Sequence, residues 1–160
     1  MKRINNKGFT LVELLAVIII LAIVVGITIP AVLTMVDEAR AKAGKDAAAV
    51  VADWVDKQYS LKIIGFGGGD TIFNTVCFPS ASSACDSTGI TVNSGSTDGD
   101  KFIKAAGLTP SDVASLKITI SDDRACVELT PKDTGNYYIN RAGADNKYYS
   151  VNCPTSSSSG

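Results

Sequence analysis

Four features of this 160-residue sequence carry potential chemistry: a lone carboxylate ahead of an apolar run, four cysteines, an aspartate pair and a glycine-rich stretch. The carboxylate is Glu13, which stands before 23 uncharged positions, 14–36, most of them Leu, Ile, Val or Ala. Putting an isolated carboxylate into hydrocarbon is costly, and a segment that only had to span would hold another Leu there. One account of Glu13 is local: the positive end of a helix dipole favours an acid in the first turn. Cys77, Cys85, Cys126 and Cys153 all follow the apolar run. With no His and no CxxC pair, a zinc site is disfavoured, and an even count reads as disulfides with three possible pairings. Asp98 and Asp100 flank Gly99, but calcium takes six to eight oxygens, so a solvated turn is the expected reading. Gly65-Phe66-Gly67-Gly68-Gly69 lacks the Gly-Lys-Ser/Thr ending of a phosphate cradle and follows an expected helix rather than a strand, so it reads as a linker. No nucleophile–base set and no metal cluster is apparent, which argues against an enzyme and against a bound cofactor.

The elements that carry these residues follow from periodicity. At about 1.5 Å per residue, the run 14–36 is long enough to cross a hydrocarbon core of about 30 Å. It is too long for the apolar region of an ordinary secretory signal, and no small-residue cleavage site ends it. Lys2, Arg3 and Lys7 precede it with no acid among them, which places the N-terminus in the cytoplasm and the remainder across the membrane. The helix is expected to continue to about residue 63 as an amphipathic segment, with Ala39, Ala43, Ala47, Val50, Val51, Trp54 and Val55 at three- and four-residue spacing. Trp54 is expected in the core there rather than as a ligand-binding ring. Pro30 removes the hydrogen bond to the carbonyl of Gly26, so a kink is expected over residues 26–30.

Residues 70–99 are rich in Ser, Thr, Gly and Asn and read as an irregular loop with a short strand near 90–92. A short helix is expected over 102–106, ended by Gly107, and another after Thr109-Pro110, to about 115. Four strands are then expected, over 116–121, 124–130, 136–140 and 147–152, with alternation clearest at Leu116, Ile118, Ile120 and at Ala125, Val127, Leu129. Tyr137, Tyr138, Tyr148 and Tyr149 are expected to place rings on both faces of their strands. The tail 155–160 reads as disordered. Without the three leader cations the chain has 12 basic against 16 acidic residues, a net charge of −4, which argues against nucleic-acid binding by phosphate attraction.

The basic leader ending in Gly8, then Phe9-Thr10-Leu11-Val12-Glu13-Leu14 and the apolar helix, closely resembles the precursors of type IV pilins and their relatives, the pseudopilins and competence pilins. The resemblance implies cleavage between Gly8 and Phe9 by a membrane aspartyl peptidase, N-methylation of Phe9, and polymerisation through the helix. It also implies a new amine on Phe9 for Glu13 to pair with, in its own chain or in a neighbour of a staggered bundle. In a bundle that pair sets the register, because a slip leaves a buried charge uncompensated at about 3–5 kcal/mol. Pro30 matches the family pattern, and melting near it is implied; Ala22 stands where many relatives have Gly. The preferred disulfides are Cys77 with Cys85 and Cys126 with Cys153, the second resembling the C-terminal loop of many pilins.

The expected architecture is α+β, the pilin fold: leader 1–8, helix 9–64 with its membrane and assembly part at about 9–36, and head 65–160 with a four-stranded antiparallel sheet. The expected function is a pilin that forms a helical homo-oligomer for adhesion or motility, with prepilin peptidase, the assembly machinery and the membrane as partners. Its expected location is the cytoplasmic membrane as precursor and then the cell exterior. A pseudopilin, a competence pilin and a membrane-anchored binding domain remain as alternatives.

Overall fold

The computed structural model describes residues 9–65, 69–78, 84–85, 89–139 and 149–153. The chain divides into two compact units, 1–38 and 39–160. In the first, helix α1 (Leu11–Ile63) begins, and its large apolar side chains are exposed from Leu11 to Val36. This part of α1 is long and apolar enough to cross a membrane. Pro30 lies inside α1, which runs unbroken through residues 26–30. The hydroxyl of Thr28 donates to the carbonyl of Val24 (3.1 Å), and that of Thr34 to the carbonyl of Pro30 (3.2 Å), adding side-chain bonds on either side of the missing backbone bond.

The second unit holds the rest of α1 and the head. After α1 come α2 (Thr71–Cys77), β1 (Ile90–Asn93), α3 (Thr97–Ala105), β2 (Val113–Ser121), β3 (Arg124–Pro131) and β4 (Tyr149–Val151). The four strands form one antiparallel sheet in the order β1-β2-β3-β4. Leu116 opposes Leu129, Ile118 opposes Val127 and Ile120 opposes Ala125, so the period-2 apolar set of both strands lies on one face. That face is buried together with Ala48, Val51, Ala52 and Val55 of α1, Phe73 of α2, and Phe102 and Ile103 of α3. Asp122 and Asp123 turn the β2–β3 hairpin, both at positive φ, as a two-residue turn matched to strand twist requires.

Four sequence expectations need correction. Residues 70–77 are not irregular: Asp70 caps α2, its carboxylate accepting from the amide of Ile72 at 2.9 Å. No helix follows Pro110. Residues 110–112 turn and β2 starts at Val113, because pairing with β3 satisfies more backbone than one turn of helix would. The strand expected at 136–140 does not form in its described part, 136–139, where 136 and 137 are in a turn. Asp112 holds the start of this segment: its carbonyl accepts from Lys132 N (3.0 Å), and its carboxylate from Asn136 N (3.1 Å) and Asn136 Nδ2 (3.2 Å). The fourth strand is instead β1, and α3 begins at Thr97 rather than 102, capped by Ser96, which accepts from Gly99 N at 3.1 Å. Residues 140–148 and 154–160 lie outside the described residues, and with them Tyr148 and the expected tail.

Gly44 shows how closely β4 meets α1. It is buried, and a Cβ built on it would fall on the ring of Tyr149. That ring cannot swing away freely, since Tyr149 is 7% exposed and its hydroxyl donates to the carbonyl of Tyr137 at 2.6 Å. Gly44→Val is therefore expected to destabilise the head by about 1–3 kcal/mol, read as a lower midpoint in thermal denaturation, although glycine itself is a poor helix former.

Burial holds the Tyr149 phenol neutral and raises its pKa above the ordinary value near 10. The stability this contributes is fully present below about pH 10 and is lost as pH rises through the folded value. Alkaline titration followed by tyrosinate absorbance is expected to show late-ionising phenol in the wild type, and less of it in Tyr149→Phe. The second raised phenol, Tyr137, is shifted by burial and then by the Asp112 carboxylate.

Candidate functional site

The start of α1 is built from Thr10 and Glu13. Thr10 is the cap: its hydroxyl accepts from Glu13 N at 3.3 Å, and the Glu13 carboxylate returns to Thr10 N (2.8 Å) and Thr10 Oγ1 (2.9 Å). This reciprocal arrangement is a capping box, which satisfies backbone donors that the first helical turn leaves open. Sequence reasoning passed over Thr10, although Thr-x-x-Glu ahead of an apolar run is the signature of that box. Only one carboxylate oxygen of Glu13 takes these bonds.

Phe9 is 91% exposed, and with Glu13, Leu14, Ala16 and Val17 it borders an apolar recess of about 530 Å³. The structure thus brings Phe9 and Glu13 to one place. In the uncleaved chain the nitrogen of Phe9 is an amide; hydrolysis of the Gly8–Phe9 bond would make it an ammonium and give Glu13 a second charged partner. Gly8 lies outside the described residues. Pro30 is on the same helix, on its exposed apolar part.

In the head, Cys77 is bonded to Cys85 and Cys126 to Cys153. The first joins the end of α2 to the segment before β1; the second joins β3 to the residues after β4. Cys126, Glu128 and Cys153 lie close enough together to suggest a metal site, but the two sulfurs are bonded to each other. These residues line an open recess of about 650 Å³ on the sheet face away from the core, where Lys117 pairs with Glu128 at 3.5 Å. Asp98 and Asp100 sit in the first turn of α3 and do not converge. Asp100 accepts from Gly95 N at 2.8 Å, and Asp98 pairs with Lys101 at 3.9 Å. Trp54 packs edge-on against Phe73 and Phe102, with ring centroids 5.5 and 5.1 Å away, and so closes the core.

Two polar ties were not legible in sequence. The Asp56 carboxylate on α1 accepts from Ala125 N at 2.6 Å, fastening the helix to β3. Gln58, buried on α1, accepts from Asp70 N at 2.7 Å and fixes the entry to α2. Neither could be read without knowing which strand lies over which helix turn.

Comparison with known proteins bears on the N-terminus. Residues 3–29 match the family model of the prokaryotic N-terminal methylation motif, the hallmark of type IV prepilin-like proteins. No curated protein and no solved structure matches the chain.

Proposed function

We propose that this chain is a structural subunit of a type IV pilus, which leaves the membrane and polymerises through the first part of α1. The methylation motif supports a type IV pilin-like or pseudopilin-like protein, and it points to a structural protein rather than an enzyme. The observation that carries the reading is that this motif leads into a helix whose large apolar side chains are exposed from Leu11 to Val36. Such a surface needs lipid before assembly and other copies of itself after it. The two disulfides and the Ser- and Thr-rich segments of the head favour a subunit displayed outside the cell over a pseudopilin.

The mechanism follows from charge. In the precursor, Lys2, Arg3 and Lys7 hold the N-terminus on the cytoplasmic side. Prepilin peptidase adds water across the Gly8–Phe9 bond, leaving a carboxylate on Gly8 and an ammonium on Phe9. Methylation of that nitrogen preserves its positive charge. Glu13, already oriented by Thr10, then accepts the ammonium of its own or a neighbouring subunit, and the assembly machinery moves the neutralised helix from lipid into the bundle.

Mass spectrometry of the N-terminal peptide from material sheared off cells tests this. A peptide beginning at Phe9 with one added methyl group is expected. A peptide beginning at Met1 would sink the proposal and leave a membrane-anchored binding domain.

A further inference from the structure

The two disulfides stand in unlike surroundings. Cys77 and Cys85 are fully buried and belong to the core, together with Phe73, Phe102 and Ile103. Cys126 lies between Ala125 and Val127, whose side chains are in that core, so strand alternation turns its sulfur to the other face of the sheet, opposite Thr119. There it is 8% exposed, its partner Cys153 is half-buried, and both border the open recess on that face. A carboxylate oxygen of Glu128 and the two sulfurs all lie within 4.8 Å of one another, and Glu128 pairs across the strands with Lys117 at 3.5 Å.

Exchange needs a thiolate to reach a disulfide sulfur, so access decides which bond of a protein is labile. A bond sealed in the core opens only when the head unfolds, whereas one that borders solvent opens from the folded state.

We propose that Cys126–Cys153 is a thiol–disulfide exchange site: a small thiolate enters the recess and attacks Cys153, the more exposed sulfur, while Cys77–Cys85 stays closed. The incoming sulfur bonds to Cys153 Sγ, the Cys126–Cys153 bond breaks, and its electron pair leaves on Cys126 Sγ, which takes a proton from water. A second thiolate attacks the small-thiol sulfur of this mixed disulfide and frees Cys153, which is protonated in turn. The chain gains two electrons and two protons, and two small thiols become one small disulfide. The reverse sequence, started by the small disulfide, closes the bond. Negative charge spreads over three sulfurs during attack, so the Glu128 carboxylate opposes the step and the Lys117 ammonium offsets that opposition. What the exchange switches is β4, whose three residues are then held only by their pairing with β3 and by the packing of Tyr149 on Gly44. The site lies wholly in the head and does not rest on the filament reading.

The test treats the oxidised, detergent-solubilised full chain with reduced glutathione at mildly alkaline pH, with acid quenching at intervals, alkylation of the released thiols and peptide mass spectrometry. Glutathione on Cys153 and alkylated Cys126 are expected to appear first, roughly tenfold or more ahead of alkylated Cys77 and Cys85. Equal rates for the two bonds, the mark of opening by global unfolding, would overturn the proposal, and glutathione found on Cys126 alone would overturn the choice of attacked sulfur. Glu128→Gln is expected to speed the opening roughly threefold, and Lys117→Gln to slow it by about as much. An unchanged rate in both variants would overturn the part given to the charge pair.

Discussion

Glu13→Ala is expected to yield protein that is membrane-inserted and cleaved after Gly8, with filament yield lowered at least a hundredfold. The substitution removes the return half of the capping box, which costs about 1 kcal/mol and leaves a helix as long as Leu11–Ile63 standing. Insertion depends on the apolar run, and in the proposed processing the bond cut is Gly8–Phe9, outside the Glu13 side chain, so neither should fail. Assembly differs, because the ammonium of Phe9 would enter the bundle without a counter-ion at about 3–5 kcal/mol, and each 1.4 kcal/mol is tenfold in an equilibrium. Glu13→Gln separates the two roles of the side chain. It keeps an oxygen for Thr10 but no charge for Phe9, so it is expected to behave like Glu13→Ala in filament yield. Comparing sheared and membrane fractions by immunoblot, with N-terminal mass spectrometry of the latter, reads the result. Normal filaments from Glu13→Gln would reduce Glu13 to a helix cap.

Replacing Cys126 and Cys153 by Ser is expected to produce the largest loss of head stability. β4 is only three residues long, Tyr149–Val151, and the bond lies 27 residues apart in sequence across a segment with no other covalent tie. Closing a loop of that size is worth about 3–4 kcal/mol, which for a head of this size lowers the melting midpoint by roughly 10–20 °C. The loss should exceed that value if β4 detaches, because Tyr149 then leaves its place against Gly44 and gives up its bond to Tyr137. The Cys77–Cys85 pair, eight residues apart, closes a smaller loop worth about 2–3 kcal/mol. Circular dichroism of the detergent-solubilised chain on heating distinguishes them. Equal shifts for the two double variants would show that the sheet holds β4 without its bond.

The membrane-length helix, the carboxylate at its head and the methylation motif were legible because each is written in contiguous residues. So were the strands β2 and β3, whose alternation survives in Leu116, Ile118, Ile120 and Ala125, Val127, Leu129, and the turn at Asp122-Asp123. Asp70 ahead of Thr71 was a cap in plain view, hidden by the polar composition around it. Thr10 was likewise visible in the Thr-x-x-Glu spacing, since the box it forms with Glu13 is closed within four residues.

Tertiary structure alone decided the rest, since the deciding partners are distant in the chain. Residues 136–139 have strand-like composition, but the Asp112 carboxylate, 24 positions earlier, takes the backbone and side-chain amides of Asn136. Asp56 and Gln58 take their roles from β3 and the start of α2, which come against them only in the folded head. At Gly44 the ring of Tyr149, 105 positions away, leaves no room for a Cβ, which makes glycine the residue small enough to fit. Short-range chemistry, meaning hydropathy, capping and processing, is carried by the sequence in order. Packing depends on which surfaces meet, and that is fixed only when the whole head has folded.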